Sequence, residues 1–152
     1  VTRTVLLVDG ELVNEAVLRA LPTLSHSQLL RATKAMEPME FSAGQTIVKE
    51  NEVNDRLYIL MEGNVNIALK NKKGKQVKVN QIGPGEYFGE VELMNGGHAI
   101  ATITAGDEPV KLVTLKRSLF ESLINENRET KRVIESMVNR RVNENETARS
   151  SK

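Results

Sequence analysis

The chain has 152 residues, 21 Lys and Arg against 20 Asp and Glu, a net charge of +1 and no cysteine. That length suits one domain with a real core, and a composition of 39% hydrophobic and 27% charged residues is that of an ordinary folded protein. The near-neutral charge gives no electrostatic case for nucleic acid or an anionic membrane, and the lack of cysteine excludes disulfides and thiolate metal sites. A reducing cytoplasm fits that composition. The longest apolar runs, such as Val5-Leu6-Leu7-Val8, are too short to span a bilayer. The first residue is Val1, which reads as a piece of a longer or processed protein, and no secretory signal is evident.

Residues 1–10 read as a lead-in. From Glu11 to Leu21 the residues Leu12, Val13, Ala16, Val17 and Ala20 fall at helical spacing, and Pro22 stops the run. Ser25 caps a second predicted helix over about 26–36, with Pro38 marking its end. From Met39 to Leu115 the period changes. Short segments (Thr46–Val48, Leu57–Met61, Val65–Leu69, Val77 to Val79, Ile100–Thr104, Val110–Leu115) are broken by glycine, asparagine and aspartate, with Asn71-Lys72-Lys73-Gly74 as a hairpin tip. About eight strands with tight turns predict a mainly β fold, a small jelly-roll barrel with flanking helices. Helical spacing returns at Lys116, with Leu119, Phe120, Leu123 and Ile124 on one face. Asn127 caps a last helix whose stripe is Val133, Ile134, Met137, Val138 and Val142, and the polar tail from Asn143 to Lys152 is expected to fray. The predicted organisation is 1–22 lead-in and helix, 23–125 barrel domain with its flanking helices, and 126–152 C-terminal helix and tail.

The most informative stretch is Phe88-Gly89-Glu90-Val91-Glu92-Leu93, followed eight residues on by Ala101-Thr102. Gly85 and Gly89 let the backbone turn where a side chain would meet a close ligand. A short helix after Gly89 presents free N–H groups suited to an anion. Glu90, acceptor-only when ionised, suits a ribose hydroxyl. The same glycines also fit a plain tight turn between strands.

With Phe41–Val48, Leu57–Val65, Gly85–Glu90, Ala101-Thr102 and the Leu119-Phe120 helix in order, the chain resembles the cyclic nucleotide-binding domain over about Ala20 to Leu123. The resemblance implies a regulatory module for cAMP or cGMP, without catalysis. Its ligand cassette would be Phe88, Gly89, Glu90, Val91, Glu92, Leu93, His98, Ala99, Ile100, Ala101 and Thr102. In that family an arginine three residues before the threonine grips the exocyclic phosphate. Here that position is Ala99, no Lys or Arg lies between Glu90 and Thr102, and His98 is the nearest polar neighbour. Glu92 stands where the family has alanine and adds a carboxylate at the phosphate end. Losing a buried charge-assisted partner costs roughly 2–5 kcal/mol, or roughly two to four decades of affinity. A milder departure is Glu50-Asn51-Glu52 in place of Glu-Gly-Glu, since asparagine tolerates a left-handed turn.

Three readings follow. One is a sensor with weakened or altered nucleotide affinity, passing its signal through the C-terminal helices to an effector domain in the same or a partner chain. Another is a degenerate, ligand-free interaction module. The third is a module for a neutral ligand, or one without a cyclic phosphate, held mainly by Glu90. The C-terminal stripe serves packing on its own domain, a homodimer, or a lid over the pocket. Lys131, Arg132, Arg140 and Arg141 read as a solvated helix face. Gly83-Pro84-Gly85 has the wrong spacing for a dinucleotide fingerprint. His26 and His98 lie in no metal-ligand or catalytic pattern, so neither metal nor enzymatic chemistry is expected.

Overall fold

A computed structural model of the chain describes residues 10–150, and most of the predicted lead-in lies outside them. Two helices, α1 (Gly10–Ala20) and α2 (His26–Ala35), precede the strands β1 (Glu37–Phe41), β2 (Thr46–Val48), β3 (Arg56–Glu62), β4 (Val65–Lys70), β5 (Gln76–Ile82) and β6 (Tyr87–Phe88). Then come α3 (Glu90–Asn95), β7 (Thr102–Ala105), β8 (Val110–Lys116), α4 (Arg117–Glu126) and α5 (Arg128–Arg149). The strands form two four-stranded antiparallel sheets, ordered β1-β8-β3-β6 and β2-β7-β4-β5, which is the expected jelly roll. The strand reading missed the start of β1 at Glu37 and the two-residue β6, both too short or too polar to show an alternation.

Strand β3 organises the interior because it is buried on both faces. Leu57 and Ile59 join Val17, Leu29, Val113, Leu115, Phe120, Leu123, Ile134 and Val138 in a core between one sheet and the helices. Tyr58 and Leu60 point the other way, with Val65, Ile67, Ile82, Phe88, Ile103 and Leu112, into the core shared by the two sheets. The two-residue period of a strand produces this division. Tyr58 and Phe88 stack there with ring centroids 4.8 Å apart.

The helix boundaries follow from local chemistry. Ser25 and Gln28 form a reciprocal capping box at the start of α2. Asn51 adopts a positive φ of 75°, the left-handed turn its side chain tolerates. Asn127 breaks α4 from α5. Its Oδ1 accepts from Thr130 N at 3.1 Å, and its Nδ2 donates to Thr23 O and Gln28 Oε1, both at 2.9 Å. Helix α5 does not fray from Asn143 as expected. It continues to Arg149, with Asn145 buried, because its last turns lie on the barrel. Asn127→Ala removes a cap and two partly buried hydrogen bonds. It is expected to lower stability by about 2 kcal/mol, measured as a shift in the urea midpoint at unchanged m-value.

Candidate functional site

The predicted cassette forms the turn from β6 through α3 to β7. Gly89, at φ 97°, is the N-cap of α3. A Cβ there would run into the Arg56 carbonyl oxygen and lie 3.0 Å from Asn54 Nδ2. A close approach that demands glycine here is to β3 and the loop before it.

That turn carries Glu90 completely out of solvent, at 0% exposure. A lone buried carboxylate is costly, and Glu90 is matched by a cation from the far end of the chain. Arg141 on α5 donates through Nη1 to Glu90 Oε1 at 2.6 Å. The guanidinium carbon of Arg141 also lies 5.6 Å from the Tyr87 ring centroid. Arg141 is thus buried against the site instead of belonging to a solvated face, while Arg132 and Arg140 are exposed as expected. Glu90 Oε2 and the Tyr87 hydroxyl remain buried with no hydrogen-bond partner among the described residues.

A narrow cavity of about 30 Å³ adjoins this pair. Of the cassette, Phe88, Gly89, Glu90, Val91, Glu92, Ile100 and Ala101 line it, joined by Ile67 and Val79 from β4 and β5 and by Arg141, Glu144 and Asn145 from α5. Leu93 is buried in the helical core. Ala99 is buried, and its backbone pairs with Asn51 and Glu52. His98 is exposed, and the Thr102 hydroxyl accepts from Glu50 N at 3.0 Å. Arg141 is the only cation lining the cavity among the described residues. Sequence reasoning missed it and Asn145, although Ile134, Val138, Arg141 and Asn145 continue one helical stripe.

Glu92 is buried at the cavity wall. It is 5% exposed and accepts from Asn54 Nδ2 at 3.2 Å. Burial, then the neighbouring Glu90, pushes its carboxyl up to about 7, against the Asn54 hydrogen bond. Burial likewise raises Glu90, opposed chiefly by Arg141. Tyr87 is pushed up to about 12 by burial and by Glu90, so its hydroxyl keeps its proton at neutral pH.

Residues 38–127 match the cyclic nucleotide-binding domain family. The chain is 36% identical over 112 residues to a cAMP-dependent protein kinase regulatory subunit from Mucor circinelloides f. lusitanicus, covering 74% of this chain and 25% of that protein. It is 41% identical over 101 residues to a cGMP-dependent protein kinase from Eimeria tenella, covering 66% of this chain and 10% of that one. It therefore spans a quarter or less of these two relatives. The regulatory subunit of a cAMP-independent protein kinase A from Trypanosoma cruzi, bound to guanosine, superposes with a TM-score of 0.71 at 27% identity. That match covers 79% of this chain and 43% of the other. Among the described residues no helix is long and apolar enough to cross a membrane.

Glu92 gives a pH dependence with a definite sign. Below about pH 4.5 both folded and unfolded chains hold its proton. As pH rises toward 7 the unfolded chain loses the proton first, so stability falls. Glu92→Gln, which keeps an acceptor for Asn54, is expected to abolish about 2 kcal/mol of the destabilisation between pH 5 and pH 8, read from urea unfolding at both values. The chain belongs to the cyclic nucleotide-binding domain family, as a regulatory binding domain and not a catalytic one.

Proposed function

We propose that this domain is a regulatory sensor whose pocket takes a neutral, ribose-bearing ligand of the purine nucleoside class in preference to a cyclic nucleotide. The observation that carries this reading is the buried, unpartnered Oε2 of Glu90 beside a cavity whose barrel wall has no cation. A carboxylate oxygen without a donor suits a sugar hydroxyl. A cyclic phosphate would meet Ala99 where the family's arginine stands, with His98 facing away into solvent and Glu92 buried nearby. A neutral 5′-hydroxyl brings no charge to that end and fits beside a carboxyl that is partly protonated at neutral pH. The guanosine-bound Trypanosoma cruzi relative, described as cAMP-independent, supports the same ligand class.

Within a longer cytoplasmic protein the domain would pass ligand occupancy to an effector domain through α4 and α5. Val91 and Leu93 of the cassette helix pack in the same core as Phe120, Ile134 and Val138. A rearrangement of α3 therefore changes what the helices rest on.

A second reading, a ligand-free interaction module, draws on the Glu90–Arg141 pair and the small size of the cavity it closes. Calorimetric titration separates the two. Guanosine is expected to bind, with cAMP weaker by about a hundredfold. Glu90→Gln should weaken guanosine by about 10- to 100-fold through loss of a charged acceptor. Ala99→Arg combined with Glu92→Ala should raise cAMP affinity by at least about tenfold. No heat with either ligand at millimolar concentration, in the parent and the double variant alike, would favour the interaction module.

A further inference from the structure

The net charge of +1 conceals an uneven distribution. From Asn64 to Gly85 the chain holds five lysines (Lys70, Lys72, Lys73, Lys75 and Lys78) and no other charged residue. Taking their +5 from the total of +1 leaves −4 on the rest of the chain. All five are exposed, and none takes part in an ion pair among the described residues. Lys72, Lys73 and Lys75 sit at the tip of the β4–β5 hairpin, while Lys70 lies opposite Gln76 and Lys78 opposite Ala68. Directly opposed residues share one face of a sheet. Lys70, Gln76 and Lys78 therefore stand together on the outer face, and Val77, opposite the buried Leu69, stands on the inner one.

Strand β5 is also the last strand of its sheet. It pairs with β4 alone, and its other edge has no backbone partner among the described residues. Such a row of free N–H and C=O groups is a template for a further strand. An open groove of about 550 Å³ runs beside that edge, with Val77 and Val79 on the strand side and Arg140 and Ala148 of α5 across from them. Glu144 is the only acid lining it among the described residues. Val79 has no partner on β4, a bulge that confines the regular ladder near the tip to Gln76–Lys78, where the lysines are.

The geometry points to this edge as a docking site for an extended acidic segment of a partner protein, added as a strand beside Gln76–Lys78. Side chains of the added strand alternate between faces. Its acids meet Lys70 and Lys78 on the outer face, and its apolar residues lie over Val77 and Ala148 in the groove. Main-chain bonds supply the binding and the alternating pattern supplies the selection. The same lysines act against a second copy of this edge, which would bring like charges together. A membrane surface has no backbone to pair with β5 and leaves the groove unused. Docking there needs no particular ligand in the cavity beside Glu90.

The probe is a labelled peptide of about ten residues that alternates glutamate and valine, so that one face is acidic and the other apolar. Titrated into the whole chain without nucleoside and followed by fluorescence anisotropy, it is expected to bind, and to slow hydrogen exchange at residues 76–78 by at least about tenfold. Lys70→Glu combined with Lys78→Glu, both at exposed positions, should weaken binding at least about tenfold, with the urea midpoint reporting that the variant folds. A peptide of the same composition with its glutamates and valines in two blocks keeps the charge and loses the pattern. It should bind at least about tenfold more weakly than the alternating one. No binding of the alternating peptide at millimolar concentration overturns the docking site. Equal binding of the two-block peptide, or binding without slower exchange at 76–78, overturns strand addition and leaves only attraction to charge. Slower exchange there on raising the protein concentration alone makes a second copy the occupant and overturns the acidic partner. Binding to phosphatidylserine vesicles without binding to the peptide does the same in favour of a membrane.

Discussion

A carboxylate with no solvent exposure has to be matched by a positive charge or by hydrogen-bond donors, and the matching of Glu90 governs how this domain is built. Arg141 reaches it from 51 positions along the chain at 2.6 Å, with its own side chain only 11% exposed. Desolvating two charges is costly, so such a pair adds little net stability compared with apolar packing. Removing one partner alone is costly because the other stays buried. The pair consequently acts as a constraint on arrangement. Either α5 sits on the barrel, or something else satisfies the acid, or the acid is hydrated. These are discrete alternatives, which is what a switch requires.

The position of α3 gives those alternatives reach. This six-residue helix lies between two cores. Val91 and Leu93 rest with α4 and α5, while Phe88 just before it and Ala101 just after the turn rest between the sheets. β3 joins the same two cores through Leu57 and Ile59 on one side and Tyr58 and Leu60 on the other. Close-packed interiors adjust by changing arrangement instead of deforming smoothly. An event at Glu90 is thus mechanically adjacent to the helical exit from the domain, with no long pathway needed.

The carboxyls lining the pocket are compensated unequally. Glu90 and Glu92 are both buried within two residues of each other; burial raises both carboxyls, and Glu90 raises Glu92 further. Arg141 compensates Glu90, and Asn54 gives Glu92 a neutral donor. The outcome is a carboxyl raised by burial and paired with Arg141 next to one pushed up to about 7.

The chain's local chemistry was legible in its residues. The capping serine and glutamine of α2, the asparagine cap of α5, the left-handed Asn51, the hairpin tip at Asn71–Gly74 and the alternation of β4 each depend on neighbours a few positions away. Sequence spacing reports such neighbours directly. The fold implied by the ordered motifs was readable for the same reason. Three features were not. Gly89 packs against the Arg56 carbonyl and Asn54; Glu92 is buried with Asn54 as its donor; and Arg141 with the last turns of α5 lies at the pocket instead of in solvent. Each depends on a partner distant in the chain, and a charged residue on a helix reads as solvated until the surface it meets is known. Residue order and spacing were enough to specify the barrel, its caps and a glutamate at the start of the α3 turn. Which cation reaches that glutamate, and that α5 lines the cavity beside it, follow from the packed molecule, because burial is a property of the whole and not of any single stretch.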